Sequence, residues 1–245
     1  MIKYSIKISA SVVGMAIQKL LDQVLSEGRK NLLESEAYEV LSSYNISISP
    51  FKIVNSFEEA ESAANNIGYP LVLKIVSHDI IHKSDVGGVK ININNLDQLK
   101  EAFNTLLSDV KGKIPNARIV GVLVEKMAPE SVEVVVGMLR DPTFGPTVMF
   151  GLGGVLVEIM KDVIFRITPV SKEEAIDMVK RVKGYPLISG FRGSKPLDID
   201  AIADLISNVS RIAMENPSID QMDLNPVIVY EKGLAVVDAR IILKA

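Results

Sequence analysis

The sequence predicts a mixed α+β fold with two antiparallel sheets. Apolar, β-branched runs recur along the chain, and amphipathic helical stretches separate some of them without strict strand–helix alternation. Strands near 119–139 and near 224–242 stand close enough in sequence to pair antiparallel. A doubly wound nucleotide fold, which needs regular βαβ units, does not fit this order.

The elements follow in order. Residues Val12–Ser26 read as an amphipathic helix stopped by Gly28, and Leu32–Leu41 as a second helix. Phe51–Val54 reads as a strand. Ser56 and Glu59 have capping-box spacing and open a helix to Asn66, which ends at Gly68 and Pro70. Leu71–Val76 is a nearly continuous apolar run, hence a buried strand. A polar loop, Ser77–Gly88, leads to a strand at Val89–Ile93, a helix at Leu96–Leu107 and strands at Ile119–Glu125 and Val132–Leu139. Beyond a turn at Asp141-Pro142 lies a glycine-rich segment, Phe144–Gly154. Ser171 and Glu174 cap a helix to about Val182, and another helix covers Ile199–Met214. Strands Leu224–Tyr230 and Leu234–Ile242, turning at Lys232-Gly233, complete the reading.

The 245 residues suit one domain of two lobes, and 48% hydrophobic with 23% charged residues suits an ordinary buried core. A net charge of -3 gives no electrostatic reason to expect nucleic acid or an anionic membrane. With no cysteine, disulfides, thiolate metal sites and a Cys nucleophile are excluded, and a cytoplasmic location is expected. No apolar stretch approaches the ~18 residues of a membrane span. Lys3 and Lys7 ahead of Ile8–Ile17 faintly resemble a secretory signal, but the run is short and continues into a helix pattern.

Neither GxxxxGK[ST] nor a complete GxGxxG occurs. Lys74 lies inside an apolar strand, where an ammonium is costly unless it meets an anion such as phosphate; the other reading is an edge lysine with its head in water. Gly87-Gly88 permits close backbone approach and a phosphate cradle, or serves as a plain hairpin turn. His82 is a nucleophile that can carry a phosphoryl group, or an ordinary loop histidine. Asp223 and Asn225 share one strand face, with Asp238 on the next strand; these oxygens suit Mg²⁺ held with nucleotide phosphates, or are turn and strand-end residues. Glu125-Lys126 ends an apolar strand and can offer polar groups to an adenine edge. Glu133 sits in a β-branched run, as an edge charge or a ligand group, and Glu158 follows the glycine-rich segment, as a solvated helix residue or part of a site.

Six stretches together resemble the β subunit of ADP-forming acetyl-CoA synthetase and, more broadly, of succinyl-CoA synthetase. They are Gly68-Tyr69-Pro70-Leu71-Val72-Leu73-Lys74-Ile75, His82-Lys83-Ser84-Asp85-Val86-Gly87-Gly88-Val89-Lys90, Arg140-Asp141-Pro142-Thr143-Phe144-Gly145-Pro146, Phe150-Gly151-Leu152-Gly153-Gly154, Phe191-Arg192-Gly193 and Asp223-Leu224-Asn225-Pro226. The resemblance implies an ATP-grasp fold whose two lobes hold ATP or ADP between them: a helical extension at 1–29, a lobe at 30–124 with the phosphate loop, and a lobe at 125–245 with the Mg²⁺ site. It implies that Lys74 contacts phosphate, Gly87 and Gly88 form the phosphate loop, and Glu125, Lys126 and Met127 line the adenine pocket. Glu133 would help at the ribose, Asn225 and Asp238 would bind Mg²⁺, His82 would be the phosphorylated relay, and Glu158 would lie near the transfer route. His78 stands where that family often has proline, so it matches no functional position. The implied reaction is acyl-CoA + ADP + phosphate ⇌ acid + CoA + ATP, with CoA and most of the acyl substrate bound by a separate α subunit in an α₂β₂ assembly. Two other functions compete: an ATP-grasp carboxylate–amine ligase that works without phosphohistidine, and a nucleotide-sensing subunit.

Overall fold

The computed structural model describes residues 10–154 and 162–244. Helix α1 (Ala10–Ser26) and helix α2 (Glu34–Ser43) come first. Contacts divide the chain into two compact units. Unit 1 contains the residues through Leu32, Glu36–Ser47 and the chain from Val132 onward; unit 2 contains Leu33–Ser35 and Ile48–Ser131. The course of the chain therefore enters unit 2 from within unit 1. This division differs from boundaries at 29 and 124, and α1 belongs to unit 1. No helix among the described residues is long and apolar enough to cross a membrane.

Unit 2 is a four-stranded antiparallel sheet with two helices. Strands β1 (Phe51–Val54), β2 (Leu71–Ser77), β3 (Val89–Ile93) and β4 (Ile119–Lys126) lie in the order β1-β4-β2-β3. Helices α3 (Phe57–Ile67) and α4 (Leu96–Lys113) cover one face. Leu99, Phe103, Leu106 and Val110 recur at helical spacing on α4 and pack with Leu71, Leu73 and Ile75 of β2 and Val122 and Val124 of β4. The strand period of two then turns Val72, Lys74 and Val76 to the other face. Ser56 caps α3 by accepting the Glu59 N–H, but the Glu59 carboxylate takes the Asn55 N–H, one residue before the reciprocal bond of a capping box.

Unit 1 is built on a six-stranded sheet. Its strands are β5 (Val132–Asp141), β6 (Gly145–Leu152), β7 (Val163–Ile167), β8 (Ile219–Val229), β9 (Leu234–Val236) and β10 (Ala239–Leu243). The order is β10-β8-β5-β6-β7, with β9 pairing the second half of β8. Helices α5 (Lys172–Arg181), α6 (Tyr185–Ser189) and α7 (Ile199–Glu215) accompany it. Register places Val136 beside Phe150 and Leu224, all buried, and α7 contributes Ile202, Ile206, Val209 and Ala213 from one stripe. Ser171 and Glu174 form the full capping box of α5. Asp198 caps α7 through the Ala201 N–H and also accepts the Gly233 N–H, tying the β8–β9 turn to the helix start. Before α2, Leu32 and Asn31 run beside β10: the Leu32 N–H reaches Ile241 O at 3.0 Å and the Leu243 N–H reaches Lys30 O at 2.8 Å.

Three sequence expectations need correction. The strands at 119–126 and 132–141 do not pair; they belong to different sheets, because β4 is claimed by β1 and β2, and β5 by β6 and β8. The glycine-rich segment is strand β6 as far as Leu152. Gly151 is needed within it, since a Cβ there would lie 2.8 Å from Val163 Cγ1. The last hairpin forms, but its first strand begins at Ile219 and its second is broken between β9 and β10 at Val237-Asp238.

Candidate functional site

In unit 2 the critical lysine is buried and paired. Lys74 stands opposite Leu123, and Glu125 opposite Val72, so the two charges are diagonal neighbours on the face away from α3 and α4. Long side chains span such a diagonal, and Lys74 Nζ lies 2.6 Å from Glu125 Oε2. Glu34, the first residue of α2, adds a second carboxylate. Its Oε1 lies 2.8 Å from Lys74 Nζ and its Oε2 lies 2.7 Å from Lys83 Nζ. Side-chain exposure is 1% for both glutamates, 6% for Lys74 and 16% for Lys83, so water does little to screen these contacts. Burial pushes the Glu34 carboxyl upward, but the charges of Lys74 and Lys83 and their hydrogen bonds outweigh it and hold it at about 2.

This arrangement bears on two expected roles. Lys74 sits in its strand as an ammonium matched by anions, but the anions present are protein carboxylates. Glu125, expected at an adenine pocket, turns its side chain to Lys74. Lys126 Nζ donates to the carbonyls of Gly68 and Tyr69, and the Met127 N–H donates to Pro70 O at 3.0 Å. Those two residues thus fasten the turn before β2.

The loop after β2 is tied down at several points. Arg118 meets Asp79 through its backbone N–H, at 2.7 Å, and its guanidinium, at 2.6 Å. Those bonds hold the Asp79 carboxyl low, at about 2. Lys113 Nζ donates to Asp85 O at 2.8 Å. Ser84–Val86 forms a single 3₁₀ turn ended by Gly87 in the left-handed region, at φ 73°. The N–H of Gly87 donates to Ser84 O and that of Gly88 to Lys83 O, so both donors are used inside the loop. Gly88 is required by packing as well: a Cβ there would lie 2.5 Å from Ile75 Cγ2. His82 is exposed on this loop, directly before Lys83. His78 is half-buried, with its Nδ1 enclosed and lacking a hydrogen-bond partner.

In unit 1 the expected metal residues come together at the strand break. Met222 and Leu224 are buried while Gln221, Asp223 and Asn225 are exposed, so the three polar residues share the open face of β8. The Asn225 N–H donates to Asp238 O at 3.2 Å, and the Val237 N–H to Pro226 O at 3.1 Å. Asp238 Oδ1 accepts the Ala239 N–H at 3.0 Å. Asp223 faces Arg240 across the strands. The described residues contain no group of three or more His, Cys, Asp or Glu that could hold a metal by themselves. An amide and a carboxylate on segments joined by the Asn225 N–H to Asp238 O bond are hard oxygen donors of the kind that suit Mg²⁺, which commonly takes one or two protein ligands and completes its shell with phosphates and water. Glu133 is exposed, and the glycine segment runs against it: the Gly153 N–H donates to Glu133 O at 2.7 Å, and a Cβ on Gly153 would lie 2.9 Å from Glu133 Cβ. Glu158 lies outside the described residues.

Three contributors had been missed. Glu34 and Lys83 belong to the buried ion cluster, and the fully buried Tyr38 donates its hydroxyl to Val237 O at 2.7 Å, bracing the break beside Asp238. A signal for Glu34 existed: its carboxylate follows Leu32-Leu33 at a helix start, where an acidic group is favoured. Its partner lies 40 residues away, and no local pattern reveals that.

Two antiparallel α+β units, one with a buried lysine beside a glycine loop and the other with Asn225 and Asp238 joined through the backbone at a strand break, define a class. A family model described as an ATP-grasp domain matches residues 23–243, and the chain belongs to that family. Within it, the chain is 48% identical over 226 residues to the acetate–CoA ligase [ADP-forming] I subunit beta of Pyrococcus furiosus, covering 92% of this chain and 97% of that one. It is 49% identical over 236 residues to acetate–CoA ligase [ADP-forming] I of Archaeoglobus fulgidus, covering 96% of this chain but 34% of that longer protein. The solved dinucleotide-forming acetyl-coenzyme A synthetase 1 of Ca. Korarchaeum cryptofilum, in complex with coenzyme A and Ca-AMPCP, matches with a TM-score of 0.90 at 51% identity, over 93% of this chain and 99% of that chain. The same synthetase with Mg-AMPPCP, its phosphohistidine segment pointing towards the nucleotide binding site, matches with a TM-score of 0.83 at 47% identity, over 93% and 100% of the two chains.

Proposed function

We propose that this chain is the nucleotide-binding subunit of an ADP-forming acyl-CoA synthetase, working in the cytoplasm with a CoA-binding α subunit in an α₂β₂ assembly. The observation that carries this reading is the match along nearly the whole length of a protein named as a β subunit. In this reading ATP or ADP is the nucleotide, and Lys74 neutralises charge on its phosphates. Glu133 serves the ribose, the segment Glu125–Met127 serves the base, and Asn225 and Asp238 hold Mg²⁺. When bound, Mg²⁺ supplies charge neutralisation at the phosphate oxygens.

His82 is the phosphoryl acceptor. In the ATP-forming direction, phosphohistidine loses its phosphoryl group to ADP: the N–P bond breaks, an O–P bond forms and the imidazole nitrogen keeps the electron pair. In reverse, that nitrogen attacks the terminal phosphorus of ATP and the P–O bond to ADP breaks. Lys74, deep in its strand, holds a fixed positive charge for either direction, and such preorganised charge is the main contribution a protein makes to phosphoryl transfer. Gly87 and Gly88 contribute as the phosphate loop once their N–H groups leave their partners in the loop, and Glu158, outside the described residues, is assigned a part in the transfer by the resemblance alone. The acyl substrate is bound mainly by the α subunit.

The test is intact mass of the chain after incubation with Mg-ATP, alone and with a candidate α subunit. An acid-labile phosphoryl adduct in the wild type, absent in His82→Asn, is the expected result. Binding of Mg-ATP with no adduct under either condition would overturn the relay. An ATP-grasp carboxylate–amine ligase or a nucleotide-sensing subunit would then account for the chain.

A further inference from the structure

We infer that Glu34 is a positioning residue that clamps the His82 loop to the strand bearing Lys74, with one carboxylate oxygen on Lys74 and the other on Lys83. The inference rests on the reading of His82 as phosphoryl acceptor. It also stands on geometry of its own. Glu34 Oε1–Lys74 Nζ is 2.8 Å and Glu34 Oε2–Lys83 Nζ is 2.7 Å, both shielded from water. Lys74 belongs to the interior strand of its sheet, so one end of the clamp is rigid. Lys83 belongs to the loop, directly after His82, and its carbonyl receives the N–H groups of Val86 and Gly88. Holding the Lys83 side chain therefore holds both the 3₁₀ turn and the residue that presents the imidazole.

A bridging carboxylate suits this task. Each oxygen meets one lysine ammonium in an ion pair, and removing either lysine leaves a buried anion poorly matched, so the two contacts depend on one another. Phosphoryl transfer also needs its nucleophile placed in line with the reacting bond, and small displacements slow it greatly. The cluster places the loop relative to the lysine assigned to phosphate.

The experiment uses the full chain and four proteins: wild type, Lys83→Met, Lys83→Arg and Glu34→Gln. Two readouts are taken. Amide hydrogen exchange at Val86, Gly87 and Gly88 reports the clamp and does not involve His82 chemistry. The rate of acid-labile labelling from Mg-[γ-³²P]ATP, together with the affinity for Mg-ATP, reports its consequence. Lys83→Met should speed loop exchange about tenfold and slow labelling at least tenfold, with affinity changed less than threefold. Lys83→Arg, which keeps a cation, should recover most of both. Glu34→Gln should match Lys83→Met. If Glu34→Gln does not fold, the two Lys83 variants decide. Unchanged exchange in Lys83→Met overturns the clamp. Faster exchange with unchanged labelling overturns its role in positioning. A wild type that binds Mg-ATP without being labelled sinks the His82 reading and the positioning role with it. In that case faster exchange in Lys83→Met would still mark the ion pair as real, which separates the two failures.

Discussion

The two groups of candidate residues, one in each unit, handle charge in opposite ways. In unit 2, Lys74, Lys83, Glu34 and Glu125 form direct ion pairs away from water. In unit 1, Asn225 lies open on a strand face and Asp238 sits at a break in the neighbouring strand, joined to it through backbone hydrogen bonds. A buried ion cluster is coupled to folding, because its members are costly to leave unmatched. Asn225 is exposed and Asp238 is half-buried, so neither is tied to folding as a buried ion cluster is. The same chain thus has one set of site residues that stability should feel and one that it should not.

The sharpest way to break this contrast is Lys74→Met. It leaves two buried carboxylates facing one lysine fewer, and should lower unfolding free energy by about 3–5 kcal/mol in a denaturant titration. A melt equal to wild type would show that the cluster adds nothing to folding. Acid should act on the same group. The folded Glu34 carboxyl is depressed from 4.5 to about 2, so its contribution is complete above about pH 4.5 and is lost as pH falls toward 2. The shift corresponds to about 3 kcal/mol, and Glu34→Gln should remove that part of the acid dependence of stability.

Gly88→Ala probes the packing beside the cluster. Its Cβ would lie 2.5 Å from Ile75 Cγ2, and overpacking of that kind should cost about 1–3 kcal/mol in a denaturant titration. Ser171→Ala, which touches none of the candidate residues, should cost about 1 kcal/mol through loss of the α5 cap, and so calibrates an ordinary local effect. Asp238→Asn completes the contrast. Its unfolding free energy should stay within about 0.5 kcal/mol of wild type, while affinity for Mg-ATP measured by calorimetry falls about tenfold or more. A large loss of stability there would make Asp238 a structural residue.

Much of this was legible in the sequence for identifiable reasons. The β2 strand announced itself as an unbroken apolar run, and Lys74 stood out as the charge within it. Ser171 and Glu174 fixed a helix start because a capping box is a local interaction. Asn225 and Asp238 are expected on neighbouring strands, and the Asn225 N–H to Asp238 O bond joins them across the break. The failures share one physical origin. Strands β4 and β5 are adjacent in sequence yet paired to different sheets, and that choice depends on partners more than 40 residues distant. Strand β6 was obscured by glycines whose purpose, clearance for Val163 in the case of Gly151, appears only once the neighbouring strand is in place. Glu34 carried only the local signal of an acidic helix start, while burial and a lysine 40 residues away give it its importance.

The pairing of residues 30–32 with β10 has a mechanical meaning. Residues 30–32 lie along β10, antiparallel to it, with the Leu243 N–H on Lys30 O. The flanking chain on either side leaves this pairing at the same end. A molecule held by handles at Arg29 and Lys244 and stretched would therefore load these few hydrogen bonds one after another, as a zipper opens, instead of shearing them together. Yielding should begin there at low force, with Lys30 and Leu243 the first pair to part.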